Sequence, residues 1–298
     1  MKLGKYYIDL NRSLGEDFSE YEFSREGIPL TRFHRKSDWR HNPITVCQYG
    51  LHHFNKYLTK QDERSKEIFL IQANWLVEKA EQGANNSKVW YYRIDIPFYR
   101  ISAPWVSGMA QGEALSVLLR AHQLMGKQKY LDTARAAWKI FHVSVQDGGV
   151  ISYFPDNRPI IEEYPSTELM TGVLNGFISA IFGVYDFAQY MDDRQADQFF
   201  LKLVDSLKHN LDCYDCGYWS YYDQKPPIRL TSKAYHRFHI EQLKALYEIT
   251  SDEIFKNYGD RWRSYLNSSK CNLKWMVRKI HQKLFYSILN KKKFFSNR

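Results

Sequence analysis

Eight apolar stretches at helical spacing follow one another along this chain, at about residues 44–58, 63–82, 107–125, 129–141, 172–190, 193–210, 236–249 and 252–266. They fall into pairs. The second member of each pair starts from a polar turn and carries large apolar residues on one face: Phe69 and Trp75, Tyr130 and Trp138, Phe199 and Leu207, Phe255 and Trp262. These marks recur at roughly 55–70 residues, the length of two helices and their connections, so the repeating unit is a helical hairpin. Periodicity alone does not choose between an open solenoid and a closed α/α toroid. The segments between pairs are long, turn-rich and aromatic, as in Trp90–Arg100, Asp147–Phe154 and Asp215–Asp223. Loops of this kind at one end of a helical ring would line a cleft suited to sugars.

Residues 1–40 are polar and irregular, broken by Gly15, Gly27 and Pro29, and form an N-terminal segment with short β elements; Ile28–Arg32 resembles a strand. Residues 41–267 form the helical domain. Residues 268–298 form a basic amphipathic C-terminal tail. Within that tail Lys270, Lys274, Arg278, Lys279, Lys283, Lys291, Lys292, Lys293 and Arg298 face no acidic residue, and these nine cations match the whole net charge of +9. The charge therefore points to an acidic partner for the tail without implying a basic groove in the body, and it gives no reason to expect nucleic acid. Leu273, Met276, Val277, Ile280 and Leu284 occupy neighbouring helical faces, and Trp275 and Phe285 add the aromatic character that peripheral membrane attachment uses. A docked terminal helix with a solvated cationic face is the competing expectation.

The four cysteines are too few and scattered for a disulfide framework, and Cys213 and Cys216 lack a second pair at zinc spacing. Neither a metal nor a cofactor is expected. The amino terminus has no apolar h-region and no apolar run is long enough to span a bilayer, so the expected location is cytoplasmic, with peripheral contact at an inner membrane through the tail. A homodimer is left open. The 22 Tyr, 18 Phe and 8 Trp supply flat amphipathic surfaces that suit sugar stacking and also fill wide helix interfaces.

Read in order, Asn42–Gly50, Ala103–Gly112, Gly148–Val150, Glu162–Ser166, Val173–Ile178 and Tyr235–Leu243 resemble the motifs of the D-glucuronyl C5-epimerases, enzymes that act on heparosan-type chains. The match runs from about residue 40 to 267. The resemblance implies a mostly α fold, an incomplete α/α toroid of helical hairpins with short β-hairpins in its loops. It implies an anionic polysaccharide substrate and inversion at C5 of a glucuronate. Position by position, Glu163 and Tyr164 match the acidic-tyrosine pair of the family's active site, Tyr222 and Tyr235 its two later tyrosines, and Asn175 an active-site asparagine.

Inversion at C5 removes a proton α to a carboxylate and returns one to the opposite face. Two proton-transfer groups must flank the ring, and the developing enolate needs cations or strong donors. Glu163, beside Glu162 in an aromatic loop, is expected to have a raised pKa and to act as base, with Tyr235 as the opposing group and Tyr222 as donor to the carboxylate. Lys225 or Arg237 would supply charge. His236, next to Tyr235, and Trp105 and Gln111 are further candidate substrate contacts. A polysaccharide lyase shares the first step but expels the C4 oxygen, and a non-catalytic polyanion-binding capsule-assembly protein would keep the same scaffold. These are the rival expectations.

Overall fold

The protein is described here by a computed structural model covering residues 2–10, 18, 21–32 and 38–296, with side chains as far as Leu284. Eight helices make four hairpins: α1 (Pro43–Lys60) with α2 (Glu63–Lys79), α3 (Gly108–Met125) with α4 (Gln128–Trp138), α5 (Leu174–Met191) with α6 (Arg194–Asn210), and α7 (Lys233–Thr250) with α8 (Glu253–Asn267). These bounds lie within a few residues of the apolar stretches in the sequence. Every hairpin turns the same way. The first helix ends on a left-handed residue, Gln61, Gly126, Asp192 or Ser251, and the next residue starts the second helix. Asp193 and Asp252 cap those starts by accepting from backbone amides of the first turn. Such short connections fold the two helices back antiparallel.

The first helices of the hairpins, α1, α3, α5 and α7, pack in succession as an inner layer, and α2, α4, α6 and α8 lie outside them. The result is an incomplete α/α toroid. Because the inner helices run in one direction, the three connections that lead to α3, α5 and α7 cover the same end. They carry the hairpins β4 (Glu81–Gln82) with β5 (Lys88–Val89), β6 (Tyr91–Tyr92) with β7 (Trp105–Val106), and β8 (Ile151–Tyr153) with β9 (Pro159–Ile161). Ahead of α1, strands β1 (Glu22–Phe23), β2 (Pro29–Thr31) and β3 (Arg40–His41) make an antiparallel sheet in that order, which places the expected strand at 28–32.

The centre of the core is the α3–α5 contact. Residues Gly108–Ala121 of α3 and Leu174–Val184 of α5 are buried without a break. Their backbones touch: a Cβ at Gly112 would lie 2.5 Å from Ala180 Cα, and one at Gly183 would lie 2.0 Å from the Gly112 carbonyl oxygen. At the far end of this contact Arg120 and Asp186 form an ion pair with side chains 1% and 0% exposed. Arg120 also donates to the carbonyls of Gly4 and Ser116, and Asp186 accepts from the Tyr7 hydroxyl, so the pair is hydrogen-bonded as burial requires. Leu3, Tyr6, Ile8 and Leu10 are buried in the same core, so the start of the N-terminal segment packs against the helices.

The tail forms α9 (Ser269–Ser296), packed on α8. Trp275 points inward, its indole N–H donating to the Thr231 carbonyl, and is not available to a membrane. The side chain of Phe285 lies outside the described residues. Among the described residues no helix is long and apolar enough to cross a membrane. Arg120→Ala should cost about 3–5 kcal/mol, because it leaves Asp186 buried and unpaired; urea unfolding followed by circular dichroism measures this.

Candidate active site

The loops that enter the inner helices meet over the first turns of those helices. Asn42 caps α1 and accepts from the Tyr92 hydroxyl at 2.8 Å. The Gly108 amide of α3 donates to the Glu162 carbonyl, and the Leu174 amide of α5 to the Tyr222 carbonyl. Ser232 caps α7 by accepting from the Tyr235 amide. A second apolar cluster sits here, apart from the main core: Tyr92, Tyr99, Ile101, Trp105, Ala110 and Val173, with Tyr164 and Tyr222 packed on it. Helix N-termini carry unpaired amides and partial positive charge, so this end of the toroid favours anions.

Glu162 and Glu163 are both buried, yet their surroundings differ. Glu162 accepts from the amides of Thr171 and Gly172 and from the Thr171 hydroxyl, which fixes the following loop. Burial raises its pKa to about 7 against those hydrogen bonds. Glu163 is pushed further, to about 8, by burial first, with the charges of Glu162 and Asp223 adding to it; the Tyr164 hydrogen bond and the Arg229 charge oppose the shift. Asn175 Nδ2 lies 3.4 Å from Glu163 Oε2. The carboxyl rests against the first turn of α5, where a Cβ at Gly176 would come within 2.3 Å of Oε2. Only a glycine leaves that space.

The tyrosines complete the cluster. The rings of Tyr222 and Tyr235 meet edge to face at 5.2 Å, and Tyr164 stacks on Tyr99 at 4.8 Å. Burial, then the charge of Glu163, lifts the phenols of Tyr164 and Tyr222 well above their usual range, so both stay protonated donors. The cation at this site is Arg229. Its guanidinium lies 5.1 Å from the Tyr222 ring centre, pairs with the fully buried Asp223 and donates to the Tyr99 hydroxyl. Tyr99 in turn donates to Asp223 at 2.7 Å. Among the described residues no group of three or more His, Cys, Asp or Glu is arranged to hold a metal.

The structure thus brings together Glu163, Tyr164, Asn175, Tyr222 and Tyr235. Trp105 stands behind them: it is buried, stacks on Tyr92 at 4.3 Å and buttresses Tyr164 at 5.5 Å, so it supports the site instead of facing a sugar. Gln111 is a correction. It is fully buried, accepting from the Trp90 amide and donating to the Lys88 carbonyl, and so anchors a loop. His236 is another. Its ring stacks on Trp219 at 4.1 Å, Nε2 donates to the Trp262 carbonyl, and Nδ1 accepts from the Ser220 amide. Burial lowers its pKa to about 4 and both nitrogens are committed, so it is a neutral core residue. Lys225 lies over the Phe98 ring at 4.0 Å, and Arg237 is exposed on α7; Arg229, over the Tyr222 ring, brings to this cluster the positive charge that was expected from one of them.

The D-glucuronyl C5-epimerase C-terminus family matches residues 84–264. The chain is 32% identical over 229 residues to the D-glucuronyl C5-epimerase of Caenorhabditis elegans, an overlap of 70% of this chain and 36% of that protein. It therefore spans about a third of the worm enzyme. An uncharacterised protein of Methanocaldococcus jannaschii is also 32% identical, over 239 residues, with 74% of this chain and 76% of that one covered. In fold, the structure is similar to cellobiose 2-epimerase from Bacillus thermoamylovorans, with a TM-score of 0.58 at 10% identity over 88% of this chain and 73% of the other. The matched span holds the connections that lead to α5 and α7 and, from residue 84 onward, the one that leads to α3, and the chain belongs to the D-glucuronyl C5-epimerase C-terminus family.

Proposed function

We propose that the chain is a polysaccharide uronate C5-epimerase that converts D-glucuronate to L-iduronate residues in a heparosan-like anionic polymer. The observation that carries this reading is the Glu163 carboxyl, buried among Tyr164, Tyr222 and Asn175 with its pKa near 8. A general base works best with a pKa close to the working pH, and burial has moved this carboxyl there. As carboxylate it takes the C5 proton, and the electron pair of the broken C–H bond passes into the substrate carboxylate as an enolate dianion. Arg229, the Tyr222 hydroxyl and the N-terminus of α5 are the groups that would meet that charge. The Tyr235 hydroxyl then delivers a proton to the opposite face of C5. Its phenolate and the protonated Glu163 return to their starting states by exchange with solvent, so reaction in D₂O labels C5.

De-sulfated heparosan incubated with the protein in D₂O should gain deuterium at C5 and iduronate signals by NMR. An unsaturated uronate absorbing in the ultraviolet would make the protein a lyase, and unchanged polymer would leave it a binder. Tyr235→Phe removes a single hydroxyl and should abolish product while leaving the thermal midpoint within a few degrees; full activity would take Tyr235 out of the mechanism. Arg229→Gln should lower kcat/KM about 100-fold, the size of effect seen when one charge-stabilising donor is lost.

Two pH effects follow from Glu163. The base must be ionised, so kcat/KM should fall below an apparent pKa of about 8. The fold also prefers the protonated carboxyl, since its folded pKa lies above the ordinary 4.5. That contribution is complete at low pH and is lost as the pH rises through about 8. Glu163→Gln, uncharged throughout, should therefore be inactive and gain thermal stability over the parent as the pH is raised from about 5 to about 9.

A further inference from the structure

We infer that α9 lies on an anionic lipid surface through a face directed away from the toroid. Three side chains fix its inner side: Trp275 donates to the Thr231 carbonyl, Lys279 to Leu230 and Gln282 to Ile228. At 100° per residue the opposite side carries Leu273, Met276, Val277, Ile280 and Leu284 within an arc of about 100°. All five are exposed, between 47% and 58%. Lys270 and Lys274 flank this stripe on one edge and Lys283 on the other, all exposed, and no acidic residue lies between Lys270 and Arg298.

An exposed aliphatic stripe edged by cations is what a helix lying in a lipid interface requires: the stripe enters the acyl boundary and the lysines meet lipid phosphates. Charge and exposed apolar area argue against two other occupants. A second copy packed face to face would bring both rows of lysines together with no carboxylate on either helix to answer them. A soluble polyanion would answer the lysines and leave five aliphatic side chains in water. Lipid of negative headgroup satisfies both.

The test is co-sedimentation of the full chain with vesicles of phosphatidylcholine alone and of phosphatidylcholine mixed with phosphatidylglycerol. The expected result is binding to the mixed vesicles, little to the neutral ones, and a loss of about ten-fold or more in Ile280→Asp/Leu284→Asp. Circular dichroism of that variant should match the parent, since both side chains are exposed. Equal binding by the variant, or no binding by the parent, would overturn the inference. So would a dimer of the parent in analytical ultracentrifugation that the variant abolishes, because the face would then be a contact between copies.

Discussion

The contact of α3 with α5 sets the geometry of the loops gathered at one end of the toroid. With Gly112 on one helix and Gly183 on the other, the two backbones come into direct contact, and the Arg120–Asp186 pair holds them at the far end. Their first turns are therefore close and fixed. The Glu162–Glu163 segment is held at both of them: Glu162 is tied to α3 through the Gly108 amide, and the Glu163 carboxyl rests on α5 at Gly176. The position of the Glu163 carboxyl is thus a consequence of how two buried helices pack. Any side chain at Gly112 or Gly183 would push the helices apart, and the loop would lose one of its two supports.

The two neighbouring glutamates show how burial separates roles. Glu162 has its oxygens saturated by backbone amides and a hydroxyl, donors that cannot move away from it, and it organises the loop. Glu163 has a weaker set of partners, an amide at 3.4 Å and a tyrosine hydroxyl, with Arg229 acting on it electrostatically. Its raised pKa follows from burial that these partners only partly offset. A carboxyl in this state exchanges protons near neutrality, whereas one held by Arg229 directly would stay ionised. Asp223 engages the guanidinium through Nε and the terminal nitrogen, so at Glu163 the pull of Arg229 toward the ionised form is countered by the Asp223 charge as well as by burial.

Much of this was legible in the residues. The eight helices are, because a 3.6-residue apolar period over more than ten residues has few other readings. Glu163, Tyr164, Asn175, Tyr222 and Tyr235 were legible as an ordered set of motifs, and they converge. What was not legible depends on rotation and on pairing. Successive helical residues differ by 100°, so with Tyr235 turned to the site His236 enters the Trp219–Trp262 core and Arg237 reaches solvent. Arg229 carries no local mark. It reaches the site because the chain turns back through Pro226-Pro227 and the Tyr222 amide donates to its carbonyl, and the only sequence hint is an Asp and an Arg on either side of a double proline. Gln111, expected as a substrate contact, lies on the helix face turned to the Lys88–Trp90 backbone.

The same segment connects the site to the tail. Residues 228, 230 and 231 offer their carbonyls to α9 while Arg229 between them points its guanidinium to Tyr222 and Asp223. The Lys279 ammonium, partly withdrawn from water, has a lowered pKa from burial and from the nearby Arg229 charge. α9 therefore replaces solvent over the backbone that aims the site's cation, and three separate donors resist any slide of the helix along it. This explains how one helix can leave an aliphatic stripe exposed and still be held in place: its inner face is fastened by hydrogen bonds to main-chain carbonyls, so the outer face is free of any duty to the core.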